Sequence, residues 1–207
     1  MSDGGLAAFK EETKRSYETY LDAYERSFAE HFEGYVKPFA QDFVNSLHGK
    51  TILDVGSGPG THAQFFYTRG LDVICVDYSE EMLKRCRVKG VKTLLLDLEE
   101  LRMPDRTIDG IWMYTSLIHV MKERVPHVVQ NMARMLKSKG ILGLAVQEGE
   151  KDGWKVQEKY PDTKRWFSYF TDPQVREYFS PHFEFLGHAR IAVPNGPVFL
   201  NYLMRKY

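Results

Sequence analysis

The sequence predicts an open α/β sandwich, a mostly parallel sheet with helices on both faces. Three observations carry that expectation. Short apolar runs alternate with segments of helical periodicity between residues 51 and 147. The first run closes on a glycine-rich turn, Gly56-Ser57-Gly58-Pro59-Gly60, that leads into a helix. The next two runs each end on a carboxylate, Asp77 and Asp97. Strands covered on both faces read as continuous apolar runs, as these do.

Taken in order, residues 6–32 read as a helix whose apolar face carries Tyr17, Leu21, Tyr24 and Phe28. Gly34 is expected to interrupt it, with a second helix over residues 35–48. Thr51 to Val55 is the first strand, followed by the glycine turn and a helix over 61–69. Leu71 to Val76 is the second strand, with Asp77 at its end and a helix from Ser79 to about Lys89. Val91 to Leu96 and Ile108 to Tyr114 supply two more, the latter followed by a helix over about 122–137. Lys139-Gly140 then turns into a fifth strand, Ile141 to Gln147. Residues 148–182 read as irregular, rich in aromatics and charge. Phe183–Val193 and Val198–Tyr207, separated by Pro194-Asn195-Gly196-Pro197, read as a terminal hairpin.

Composition narrows the function classes. A chain of 207 residues with 43% hydrophobic residues suits one well-cored domain. Lys plus Arg balances Asp plus Glu at 28 each, without the basic excess of a large nucleic-acid footprint. Two cysteines, Cys75 and Cys86, and scattered histidines give no metal-ligand spacing. Met1 to Gly5 is polar, and no apolar run nears the roughly 20 residues of a membrane span. A cytoplasmic protein is expected.

The glycine turn is a device for close approach, because glycine tolerates positive φ and lets backbone N–H groups touch a ligand. Asp77 stands 21 positions beyond Gly56, where a carboxylate of nucleotide-binding α/β folds accepts from a ribose diol. Capping the next helix is the lesser alternative for it. Asp97 is positioned to address an adenine amino group. A dinucleotide fingerprint needs a third glycine at position 61, which is Thr61, so hydride transfer from NAD ranks last. Asp54, just before the glycines, either ties strand to loop or meets a cationic amino group of the ligand.

Ile52 to Thr61 resembles the first motif of class I S-adenosylmethionine-dependent methyltransferases. Val76 to Leu83, Asp97-Leu98, Ile108 to Val120, and Met135 to Leu142 resemble its later motifs in order, over about residues 16–206. Ser138-Lys139 stands where the family has Pro-Gly. The resemblance implies a Rossmann-like three-layer sandwich: a seven-stranded, mostly parallel sheet with an antiparallel last strand and an N-terminal helical lid. It implies a lid over 1–48, a cofactor-binding core over 49–147, an acceptor-side insert over 148–182 and the hairpin over 183–207.

It also implies S-adenosylmethionine as cofactor and S-adenosylhomocysteine as product, with methyl transfer to an O, N, S or C atom of a small molecule. The alternative is a catalytically silent cofactor-binding regulator or subunit. Gly56, Ser57, Gly58 and Gly60 would approach the methionine part with Asp54, and Asp77 would hold the ribose. Tyr78, Met82, Asp97 and Leu98 would surround the adenine. Tyr17 and Tyr24 would close over the cofactor or serve as core. Tyr114 would sit near the sulfonium. His119 is the candidate general base, or a structural residue. Gln147, Glu148, Arg165 and Tyr169 are the acceptor-side candidates, and an aromatic wall with one Arg suits a planar or anionic acceptor. No metal, nucleic acid or membrane partner is expected, and the chain is expected as a monomer or homodimer.

Overall fold

The computed structural model describes the backbone of residues 3–207 and the side chains of residues 8–207; Met1 and Ser2, the start of the polar lead-in, lie outside the described residues. Strands β1 (Thr51–Val55), β2 (Asp72–Asp77), β3 (Lys92–Leu95), β4 (Ile108–Tyr114), β5 (Leu136–Gln147), β8 (Phe183–Ala192) and β9 (Val198–Lys206) form one sheet. Its order is β3-β2-β1-β4-β5-β9-β8. The first five strands pair in parallel, and β9 runs antiparallel to both β5 and β8. The order reverses between β1 and β4, so the strands splay there and leave a crevice at their carboxyl ends.

Two apolar layers sandwich the sheet. On one face Leu53, Ile111, Met113 and Leu144 meet α6 (Val125–Met135) and α7 (Asp172–Phe179). On the other, Ile52, Trp112 and Ala145 meet α3 (Lys37–Ser46), α4 (Thr61–Tyr67) and α5 (Glu80–Val88). Alternate residues of β1 and β4 therefore serve opposite layers, which is why these strands read as unbroken apolar runs. Helix starts follow local chemistry. Ser79 caps α5 by accepting from the Met82 amide, with Glu80 and Glu81 in the first turn and Arg85 and Arg87 in the last. Thr171 and Gln174 form a capping box on α7.

Three segments differ from the sequence expectations. The N-terminal helix breaks at Tyr20, between α1 (Asp3–Thr19) and α2 (Leu21–His31), not at Gly34. Tertiary partners draw Tyr20 out of line, since its hydroxyl donates to Asp162 and its ring meets Tyr160. Gly34 instead sits within a π-helical turn, Phe32–Val36, that continues into α3. Pro38 has no N–H to donate four residues back and its ring would crowd that carbonyl, a mismatch that widening the turn absorbs. Burial of Phe32 and Val36 on this turn offsets the glycine's poor helix propensity.

Residues 148–182 are ordered into a hairpin of β6 (Gly153–Gln157) and β7 (Tyr160–Phe167), followed by α7. The hairpin packs under α1: Ser16 Oγ and Thr163 Oγ1 are 2.8 Å apart, and the Trp166 amide donates to Thr13 Oγ1. The Lys139-Gly140 turn is a bulge inside an extended β5, because pairing with β4 jumps from Ile108↔Leu136 to Gly110↔Ile141. Among the described residues, no helix is long and apolar enough to cross a membrane.

Candidate functional site

β1 delivers the chain to the crevice, and three glycines bend it there, with φ of 69° at Gly56, 52° at Gly58 and 81° at Gly60. The loop is anchored to β2, since the amides of Gly56 and Ser57 both donate to the Val76 carbonyl. Gly56 has no room for a side chain: a Cβ would lie 2.2 Å from that of Ser116, whose hydroxyl holds the Val55 carbonyl. Gly60 starts α4 and presses on Cys86, a packing role. Ser57 Oγ lies 3.8 Å from Cys86 Sγ.

Behind and beside this loop sit a buried carboxylate, Asp54, and a part-buried one, Asp77. Asp77 accepts from the amides of Gly58 and Ser79, each at 2.9 Å, so it both caps the next turn and holds the glycine loop. Burial pushes its pKa up to about 6 against those hydrogen bonds. Asp54 is 2% exposed, and burial, then the charge of Asp77, push it up to about 8. Its Oδ2 has no hydrogen-bond partner among the described residues.

A cavity of about 420 Å³, counted with its open mouth, lies over these strand ends. Of the candidates, Gly56, Asp77, Tyr78, Asp97, Leu98 and His119 line it. Phe9, Lys10 and Thr13 of α1, with Val76, Leu96, Glu99 and Val120, complete it and were not among the candidates. The spacing of Phe9, Lys10, Thr13 and Tyr17 is one helical face, but its lysine reads as solvent-facing in isolation. Lys10 Nζ instead pairs with Asp97 at 2.5 Å and Glu99 at 3.0 Å, and its carbonyl accepts from Tyr78 Oη.

At the other end, His119 Nδ1 donates to the Trp166 carbonyl at 2.6 Å, which leaves Nε2 to accept from Tyr17 Oη at 2.8 Å. Arg165 Nη1 in turn donates to the same phenol at 2.6 Å. Burial, with the Arg165 charge, lowers the His119 pKa to about 3. Its free lone pair is spent on Tyr17, and its basicity is suppressed in this geometry.

The remaining candidates do not line the cavity. Tyr24 is buried against Tyr17 and Tyr160, and Met82 is buried on α5. Tyr114 stacks on Trp112 with its hydroxyl 3.2 Å from His31 Nε2. Gln147 lies at the end of β5, where its carbonyl accepts from the Phe170 amide. Glu148 points away to pair with Arg190 at 2.7 Å. Tyr169 stacks on Phe167. Arg165 is buried beneath the α1 cover rather than open to the cavity. Among the described residues no cluster of three potential metal ligands occurs.

Residues 52–140 match the family model described as a methyltransferase domain. The chain is 30% identical over 122 residues to the biotin biosynthesis bifunctional protein BioHC of Cellvibrio japonicus, covering 55% of this chain and 24% of that one. It is 30% identical over 116 residues to an uncharacterized methyltransferase of Mycobacterium tuberculosis, covering 55% of this chain and 46% of that one. The matched stretch thus spans less than half of either relative. The 1,6-didemethyltoxoflavin-N1-methyltransferase of Burkholderia thailandensis, solved with 1,6-didemethyltoxoflavin and S-adenosylhomocysteine, superposes with a TM-score of 0.78 at 20% identity, covering 100% of this chain and 91% of that one. DhpI in complex with S-adenosylhomocysteine gives 0.73 at 18% identity, covering 96% and 97%. At these identities the structural likeness is one of fold. Over residues 52–140 the chain is therefore similar to methyltransferase domains, and along its length it has the Rossmann-like fold of the solved methyltransferase it superposes on.

Proposed function

We propose that this chain is an enzyme that transfers a methyl group from S-adenosylmethionine to an O, N, S or C atom of a small-molecule acceptor. The observation that carries the reading is the pair Asp54, buried, and Asp77, part-buried: two carboxylates beside a left-handed glycine loop, one oxygen unpartnered among the described residues. A ligand bearing both an ammonium group and a ribose diol suits that acceptor set, whereas a dinucleotide pyrophosphate would meet repulsion there.

When bound, the cofactor supplies an electrophilic methyl group on a sulfonium. The chain's own residues bind and orient it. Asp54 would face the amino group beside Gly56, Ser57 and Gly58, Asp77 the ribose, and Tyr78, Asp97 and Leu98 the adenine. Residues 1–48 would serve as the lid on the 49–147 core, and 148–182 as the acceptor-side insert, with 183–207 completing the sheet. α1 covers the cavity, backed by the β6–β7 hairpin, and would exclude water during transfer. Tyr17, held between His119 and Arg165, would position that cover. A relative that takes 1,6-didemethyltoxoflavin supports a small-molecule acceptor. Zero net charge and two unpaired buried cysteines support a cytoplasmic monomer or homodimer without a nucleic-acid partner.

Calorimetric titration with S-adenosylmethionine, S-adenosylhomocysteine and NADH tests the reading. Both sulfur ligands should bind the wild type, and Asp77→Ala should weaken them at least about 100-fold, roughly two charge-assisted hydrogen bonds. Binding of NADH alone would overturn it. Methyl-label transfer onto candidate acceptors then follows.

A further inference from the structure

Arg165 is a buried cation without an anion. It is 6% exposed, on β7, and no carboxylate lies within salt-bridge distance of its guanidinium among the described residues. Of its five N–H donors one is spent, on Tyr17 Oη. Its charge rests over three rings, at 4.7 Å from Tyr17, 4.9 Å from Tyr24 and 5.0 Å from Phe167. Such rings soften the burial of a guanidinium but accept none of its hydrogen bonds.

A second, independent observation falls beside it. Tyr24 is 3% exposed and its hydroxyl has no hydrogen-bond partner in good geometry among the described residues. A guanidinium without a counter-ion and an unpartnered buried hydroxyl thus share one aromatic enclosure, where an unmade hydrogen bond is costly. The enclosure adjoins the cavity, because Tyr17 links Arg165 directly to His119 in the cavity wall. A group with several acceptor oxygens and a negative charge would satisfy both donors at once, and a guanidinium fork matches a carboxylate in two parallel hydrogen bonds.

We propose that Arg165 and Tyr24 bind an oxyanion carried by the acceptor, a carboxylate in the simplest case, and so select acidic small molecules. The inference rests on the methyl-donor reading for the word acceptor, but the oxyanion site can be read without the cofactor. Its position beneath the α1 cover means that the acceptor's acidic end enters where α1 and the β6–β7 hairpin meet.

The test uses benzoate and its neutral isostere benzamide, titrated into the protein with and without saturating S-adenosylhomocysteine. Wild type should prefer benzoate at least tenfold. Arg165→Met should abolish the preference while holding S-adenosylhomocysteine affinity within threefold, Tyr24→Phe should reduce it about threefold, and Arg165→Lys should leave an intermediate preference. Thermal melting supplies a readout that a purely structural arginine would move the other way: ligand-free Arg165→Met should melt at or above the wild-type temperature, since an uncompensated buried charge is gone. A wild type without preference, a preference that survives in Arg165→Met, or a folded Arg165→Met that melts well below wild type would each overturn the proposal. If S-adenosylhomocysteine fails to bind while benzoate preference persists, the methyl-donor reading falls and the oxyanion site stands.

Discussion

At single residues, Asp54 and Asp77 couple folding stability to pH. Both carboxyls hold their protons more tightly in the folded chain than in the unfolded one, where the pKa is about 4. The stability they contribute is fully present below about pH 4 and is lost as the pH rises, through about 6 for Asp77 and about 8 for Asp54. Asp54→Asn removes the upper part of that loss. Ligand-free Asp54→Asn should therefore melt about 3 °C or more above wild type at pH 8.5, with the gap closing by pH 5, followed by circular dichroism. The same change should weaken S-adenosylhomocysteine at least about tenfold, since a neutral amide cannot answer an ammonium group with charge. A melting difference independent of pH would contradict this account of Asp54. His62 and His119 behave oppositely: burial lowers each to about 3, so their stability is present above about 6.5 and is lost as the pH falls through about 3.

At the scale of elements, two features depart from regular geometry and make separable predictions. The bulge in β5 places exposed Lys139 at φ 62°, a conformation that costs a side-chain-bearing residue about 1 kcal/mol. Lys139→Gly should raise the melting temperature by about 2–4 °C without changing ligand affinity, as measured by melting and calorimetry in parallel. Helix α1 is pinned at Lys10, whose ammonium occupies the carboxylate that an adenine amino group would need. A charged donor outcompetes a neutral one for Asp97. Lys10→Met should therefore tighten S-adenosylhomocysteine about tenfold and speed amide exchange along α1, whereas weaker binding would mean that Lys10 supports the bound form. Lys14, whose only ion pair among the described residues is with exposed Glu11 one turn away, is the matched control.

For the whole molecule, the sheet, its edge carboxylates and the cover arise from different ranges of interaction. The glycine turn was legible because positive φ demands glycine locally, and β1, β2 and β4 were legible because burial on both faces leaves unbroken apolar runs. The hairpin of residues 153–167 was not. On β6 all but Gly153 are exposed, and on β7 only four of eight residues are buried, so neither strand carries a clean alternation. They are organised by docking against α1 through Thr13, Ser16 and Phe9, contacts that span well over a hundred residues of chain. Lys10 escaped the sequence reading for the same reason, since a charged residue looks solvent-facing until the partner beside it is known.

By itself, then, the sequence determined the α/β class, the strand and helix order of the core, the glycine loop and the carboxylates Asp54, Asp77 and Asp97 at one edge of the sheet. These follow from backbone conformation and short-range periodicity, which the chain encodes within a few residues. Only the tertiary structure decided that α1 and the hairpin form one cover, that His119 spends its lone pair on Tyr17, and that Arg165 is left without a counter-ion. Those outcomes depend on which distant side chains come within hydrogen-bond reach, and burial changes what each of them can do once there.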